Sequence, residues 1–194
     1  TVEVQNRQVD LLDVQRDRIG EEDHHDEGKE HGDPQRDGVP EDLPGFISNV
    51  RELKKLEPSF VTLTYGAGGS GREKTIETAG QIKRELDLET VCHLTCITHS
   101  RVEIAGILDQ IASHGIHSIV ALRGDQPKDA VVPPPEKRDF GYARDLVAFI
   151  KKRGGFHLAV AGYPETHPEA PSPDFDLANL KAKVDAGGDW VITQ

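Results

Sequence analysis

The sequence predicts an α/β fold of parallel strands joined by helices, and three observations predict it. From about Asn49 to the last residue, short runs rich in β-branched residues alternate with amphipathic stretches. No tight-hairpin signal joins any two of those runs. Strands joined only by helices must run parallel and be covered on both faces. An open doubly wound sheet and a (β/α)8 barrel both satisfy this. A full barrel takes roughly 250 residues and about 145 here carry the pattern, room for about five strands of eight. Over 46–194 the pattern fits both an open sheet and, in a truncated chain, a partial TIM barrel of about five strands, and it leaves the choice open. An irregular acidic segment over 1–45 is expected to precede it.

Residues 1–45 contain no Phe, Trp or Tyr and carry 14 acidic against 5 basic residues, most of the formal net charge of −11. They bury too little apolar area to offset chain entropy, so disorder or a non-native segment is expected. Val9 to Val14 is the one stretch there with strand or helix potential. His24, His25 and His31 read as part of a solvated tail, and no metal site is assigned.

The regular pattern opens with Val50–Leu56, helical in spacing and ended by Pro58. Phe60–Tyr65 reads as a strand, Arg72–Leu86 as a helix and Val91–Thr98 as the next strand. Ser100 caps a helix over 101–113, with Glu103 at the capping-box position. A strand over 117–122, a helix over 142–153, a strand over 156–161, a helix over 175–186 and a strand over 189–193 follow. Gly187 and Gly188 close the last helix.

The near-neutral body carries no basic face for nucleic acid, and no apolar run is long enough to span a bilayer. Cys92 and Cys96, four apart, form neither a disulfide framework nor a Cys-x-x-Cys pair. On a strand they point to one face and His93 and His99 to the other, which opposes a shared zinc site. A reducing cytoplasm is the simplest setting. The chain begins at Thr1, contains no methionine and ends at Val191-Ile192-Thr193-Gln194 within a predicted strand, so a fragment is expected.

In parallel α/β folds, ligands bind at the C-terminal ends of the strands. Those exits hold Tyr65 to Gly69, Thr98-His99, Arg123-Gly124-Asp125, Tyr163 to Glu169 and Gln194. The opposite ends read as plain turns. Ile119 to Leu122 stops abruptly at Arg123-Gly124-Asp125, which puts two opposite charges where a buried strand opens into a loop. Gly66-Ala67-Gly68-Gly69-Ser70-Gly71 matches a dinucleotide fingerprint, so a Rossmann-type NAD domain is an alternative.

Val61 to Ser70, His93 to Cys96, Ile119 to Asp125, Tyr142-Ala143, Ala161 to Ala170 and Leu180 to Gly187 together closely resemble methylenetetrahydrofolate reductase over about residues 50–194. The resemblance implies a (β/α)8 barrel with FAD at the strand mouth, where the Gly-rich turn is not a Rossmann fingerprint. It implies that FAD takes a hydride from NADH or NADPH and passes it to methylenetetrahydrofolate, whose ring has opened to an iminium cation. A carboxylate stabilises that cation in a water-poor site, and Asp125 is the candidate catalytic residue. The implied FAD contacts are Thr64, His93, Arg123, Gly124, Asp125, Tyr142, Ala143, Tyr163, His167, Pro168, Glu169, Ala170, Asp176, Asn179 and Lys183. Asp125 and Gln194 are the implied folate contacts. Relatives self-associate, so a homo-oligomer is expected of the intact protein.

Two departures matter. The family's first strand reads Phe-Glu-Phe-Phe-Pro-Pro, and its Glu donates a proton during ring opening. No such stretch occurs here. Ala182 falls where some relatives carry Arg, so one phosphate contact is absent. With strands six to eight also missing, the chain alone is expected to be inactive and to hold FAD weakly at most. A catalytically dead barrel remnant is the remaining alternative.

Overall fold

The computed structural model describes residues 8–10, 43–64, 71–127 and 131–193. The Gly-rich turn at 65–70, Gln194 and most of the acidic segment lie outside them. The chain forms two compact units, residues 1–91 and 92–194.

The first unit opens with β1 (Gln8–Asp10), which pairs parallel with β2 (Phe60–Leu63) in the register Val9↔Val61. These positions overlap the one stretch of the acidic segment with strand or helix potential, Val9 to Val14. Valine suits a strand, and the neighbouring β2 supplies the ladder. Helix α1 spans Leu43–Lys54, buries Ile47 and Val50, and packs against α2 (Arg72–Leu86). The boundary expected between 45 and 46 therefore falls inside a helix. Lys54 Nζ donates to the Leu86 carbonyl, tying the ends of the two helices together. All four residues of β2 are buried, as a strand covered on both faces requires. Strand β3 (Thr90–Thr95) begins in this unit.

In the second unit, α3 (Arg101–Ser113) starts at the expected box. The Ser100 amide donates to Glu103 Oε2 at 2.7 Å, and the Glu103 amide to Ser100 Oγ at 3.3 Å. Three parallel strands follow in sequential order: β4 (Ser118–Leu122), β5 (His157–Gly162) and β6 (Trp190–Thr193). Helices α4 (Ala143–Arg153) and α5 (Pro173–Asp185) pack on β4 and β5. The core is apolar and continuous: Ile104, Leu108, Ile111, Ile119, Leu146, Ile150 and Leu158 are fully buried. Asp189 locks β6 to β5, with its amide on the Leu158 carbonyl and its Oδ2 accepting the Leu158 amide, both at 2.8 Å. Helix α5 is different. It buries no residue, and Leu177 is 65% exposed.

Strand β3 ends at Thr95, short of the expected Thr98. The amides of Cys96 and Ile97 both donate to one acceptor, the Arg123 carbonyl, at 3.1 and 2.9 Å. Two donors on one acceptor break the regular ladder and turn the chain out of the strand.

Candidate functional site

The site of the second unit is built on the exits of β4 and β5 and on the start of α4 and α5. Arg123 follows β4. Gly124, at φ +86°, turns the backbone with its Cα pressed against β3; a Cβ there would sit 2.9 Å from Thr95 Cβ. Arg123 is thereby aimed across to the loop after β5. Its Nη1 and Nη2 donate to the two Glu169 oxygens at 2.7 and 3.1 Å, and its Nε donates to the Gly124 carbonyl at 3.1 Å. This bidentate bond holds Glu169 below the usual carboxylate range.

The loop after β5 is tied from both sides. The Glu169 amide donates to His167 Nδ1 at 3.1 Å, and the His167 amide donates to Asp176 Oδ2, in the first turn of α5, at 3.0 Å. Tyr163 meets the His167 ring edge-on, with centroids 4.6 Å apart. Lys183, a half-buried residue of α5, donates to the Ala161 carbonyl at 2.6 Å, and burial lowers its pKa.

These groups surround a cavity of about 170 Å³ lined by Arg123, Tyr142, Ala143, Arg144, His167, Glu169, Ala170, Phe175, Asp176, Asn179 and Lys183. Nine of the expected cofactor contacts thus meet at one place, from four separate stretches of chain. Arg144 and Phe175 line it too and were not expected; each stands one residue from an expected contact. Tyr163 touches the cavity only through His167. Pro168 and Gly124 lie in the same two loops without lining it. Asp125 is exposed beside Arg123 and acts on its guanidinium electrostatically, but does not line the cavity. His93 is nearly buried in β3, and burial lowers its pKa from 6.5 to about 4, so the ring is neutral at physiological pH. Thr64 is half-buried in the first unit. Gln194 lies outside the described residues.

Cys92 and Cys96 are buried, and burial pushes both thiols up to about 12. They are protonated at neutral pH and are not thiolate ligands as they stand.

A cavity ringed by cations, an aromatic ring and amide and carboxylate groups lies at the C-terminal ends of parallel strands in an α/β fold of the partial TIM-barrel class. Solved structures share this fold: an aldolase designated QR15 aligns over 98% of this chain and 77% of its own with a TM-score of 0.57 and 14% identity. A 2,3-dimethylmalate lyase aligns over 76% of this chain and 55% of its own with a TM-score of 0.55 and 13% identity. The chain belongs to the methylenetetrahydrofolate reductase family, whose family model matches residues 36–194. It is 44% identical over 147 residues to the 5,10-methylenetetrahydrofolate reductase of Pectobacterium carotovorum, covering 76% of this chain and 47% of that protein. The corresponding enzyme of Escherichia coli K12 is 43% identical over 147 residues, with 76% and 48% covered. The chain thus spans about half the length of these bacterial relatives. No helix among the described residues is long and apolar enough to cross a membrane.

Proposed function

We propose that this chain carries the flavin-holding part of a reductase that converts 5,10-methylenetetrahydrofolate to 5-methyltetrahydrofolate with NADH or NADPH. The observation that carries this reading is the convergence of Arg123, Tyr142, Ala143, His167, Glu169, Ala170, Asp176, Asn179 and Lys183 on one cavity. The donor set fits FAD. Lys183 and Arg144 supply positive charge for phosphate, Tyr142 offers a ring face, and Asp176 and Asn179 offer hydrogen bonds to hydroxyls and ring nitrogens. At about 170 Å³ the cavity would enclose one portion of so large a molecule.

When bound, FAD supplies the hydride relay between the nicotinamide and the folate. The residues of this chain do the remaining work. Arg123 and Glu169 fix the two loops against each other, so the cavity is preformed. His93, neutral at physiological pH, offers a hydrogen bond without adding charge. Asp125 stands at the β4 exit as an exposed carboxylate outside the cavity lining, and its role toward a developing cation requires bound cofactor and substrate to exclude water around it. Gln194 is assigned to the folate. The strand preceding β2 reads Gln8-Val9-Asp10 rather than Phe-Glu-Phe-Phe-Pro-Pro, so the expected proton donor is not at that strand. The chain by itself is accordingly inactive in turnover. A cytoplasmic location and self-association of the intact protein complete the reading.

Equilibrium dialysis of the purified chain against FAD and, separately, against NAD tests it. Retention of FAD and not of NAD supports the flavin site. Retention of NAD without flavin supports a direct dinucleotide-binding domain and overturns it. Steady NAD(P)H oxidation with menadione by the FAD-loaded chain would contradict the inactivity.

A further inference from the structure

The wall of the cavity formed by Tyr142 and Ala143 is held from outside the cavity. Tyr142 is 46% exposed, and the Arg144 guanidinium lies over its ring, 5.0 Å from the centroid. Its backbone is fixed by Asp145, in the first turn of α4. Asp145 Oδ2 accepts the amides of Gly141 and Tyr142, each at 2.9 Å, and the Asp145 amide donates to the Tyr142 carbonyl at 3.0 Å. Cys96 Sγ approaches the same carbonyl oxygen from β3's end, at 3.9 Å. There is no slack in the turn. A Cβ on Gly141 would lie 3.1 Å from the Pro135 carbonyl oxygen and 3.3 Å from Asp145 Oδ2. Asp145 itself does not line the cavity; its Oδ1 lies 3.9 Å from Nε of Arg144, which does, and it also faces a separate groove that it shares with Arg101, Phe149 and Lys152.

A carboxylate that accepts two amides at once makes charge-assisted bonds, stronger than a neutral acceptor would make. Ligand affinity depends on walls already in place before binding, because any ordering they need is subtracted from the contact energy. We propose that Asp145 is a positioning residue of this site: it sets ligand affinity by clamping the Gly141–Tyr142 turn, without touching the ligand. The proposal rests on the flavin reading only for the choice of probe.

The second capping arrangement of the same unit provides the control. Glu103 caps α3 through the Ser100 amide, and nothing at the start of α3 lines the cavity. Asp145→Ala and Glu103→Ala are compared by urea unfolding, amide hydrogen exchange and FAD titration. Both variants are expected to lose stability to a similar degree. Only Asp145→Ala is expected to speed exchange at Gly141 and Tyr142 and to weaken FAD binding about tenfold. Asp145→Asn keeps an acceptor oxygen but loses the charge, so it is expected to fall between the parent and Asp145→Ala in both exchange and affinity. If the alanine variant fails to fold, parent-like exchange and affinity in Asp145→Asn overturn the clamp. Unchanged exchange at Gly141 and Tyr142 overturns the clamp, as does an equal loss of FAD affinity in both alanine variants. If the parent chain takes up no FAD, the flavin reading falls while the exchange comparison still decides the clamp.

Discussion

Arg123 and Glu169, 46 residues apart in sequence, form a two-pronged ion pair that closes the gap between the β4 exit and the loop after β5. Glu169 is 63% exposed at its side chain and Arg123 only 28%, so the two partners are not equivalent. Glu169→Ala is expected to cost less than about 1 kcal/mol of stability, because an exposed pair is screened by water. Arg123→Ala costs more, since it also removes the bond to the Gly124 carbonyl. A double-mutant cycle in urea measures the pair; equal losses for the two single variants would contradict the asymmetry.

Gly124 is irreplaceable for two separate reasons. Its φ of +86° strains any L side chain, and a Cβ meets Thr95 at 2.9 Å. Gly124→Ala is expected to destabilise by about 2 kcal/mol. Adding Thr95→Gly should return part of that loss, the part due to the clash. No recovery in denaturant titrations would assign the whole cost to the backbone.

Burial lowers the His93 pKa from 6.5 to about 4, so the folded state disfavours the charged ring. Between those two values the unfolded chain binds the extra proton and the folded chain does not. The stabilisation from a neutral His93 is thus complete above about pH 6.5 and is lost as the pH falls toward 4, at up to about 1.4 kcal/mol per pH unit. Unfolding free energies from pH 7.5 down to 5 should show that slope, and His93→Asn should flatten it. An unchanged slope in the variant would exclude His93 as its source.

Both thiols are closed to reagents. Cys92 is 2% exposed and Cys96 1%, and burial pushes each up to about 12. A disulfide reagent at pH 8 is expected to titrate neither in the folded chain and both in urea. Fast reaction of either thiol under native conditions would contradict the packing around β3.

Much of this arrangement is written in local pattern. The order of helices and strands follows from period and punctuation, and the Ser100–Glu103 box follows from its spacing. Arg123 and Asp125 stand at a strand exit because an apolar run stops at glycine. Other features lie beyond local signals. The pairing of Arg123 with Glu169 depends on two loops meeting in space. The Asp145 clamp has the spacing of a capping box, but tyrosine stands where serine or threonine would be expected, so the pattern conceals it. Leu43-Pro44 and Ser172-Pro173 do signal the early starts of α1 and α5, since proline favours the first helical turn. Strand β1 is three residues long, and its existence depends on β2 being there to pair with it. Arg144 and Phe175 join the cavity because their helices begin at its rim, which residue type alone does not reveal.

Lys183 offers a charge test of the site. Its Nζ is half-buried against the Ala161 carbonyl, where burial lowers its pKa. Lys183→Met keeps the length and removes the charge, and is expected to weaken FAD binding about tenfold and to cost about 1 kcal/mol of stability through the lost bond to the Ala161 carbonyl. Unaltered affinity in a fluorescence titration would remove Lys183 from the phosphate contacts.

The most direct test of the flavin site is an amide chemical-shift map of the chain on addition of FAD, which detects weak binding as well as tight. The largest shifts are expected at Arg123, Tyr142, Ala143, His167, Ala170 and Lys183. Shifts confined to other surfaces, or none at saturating FAD, would contradict it.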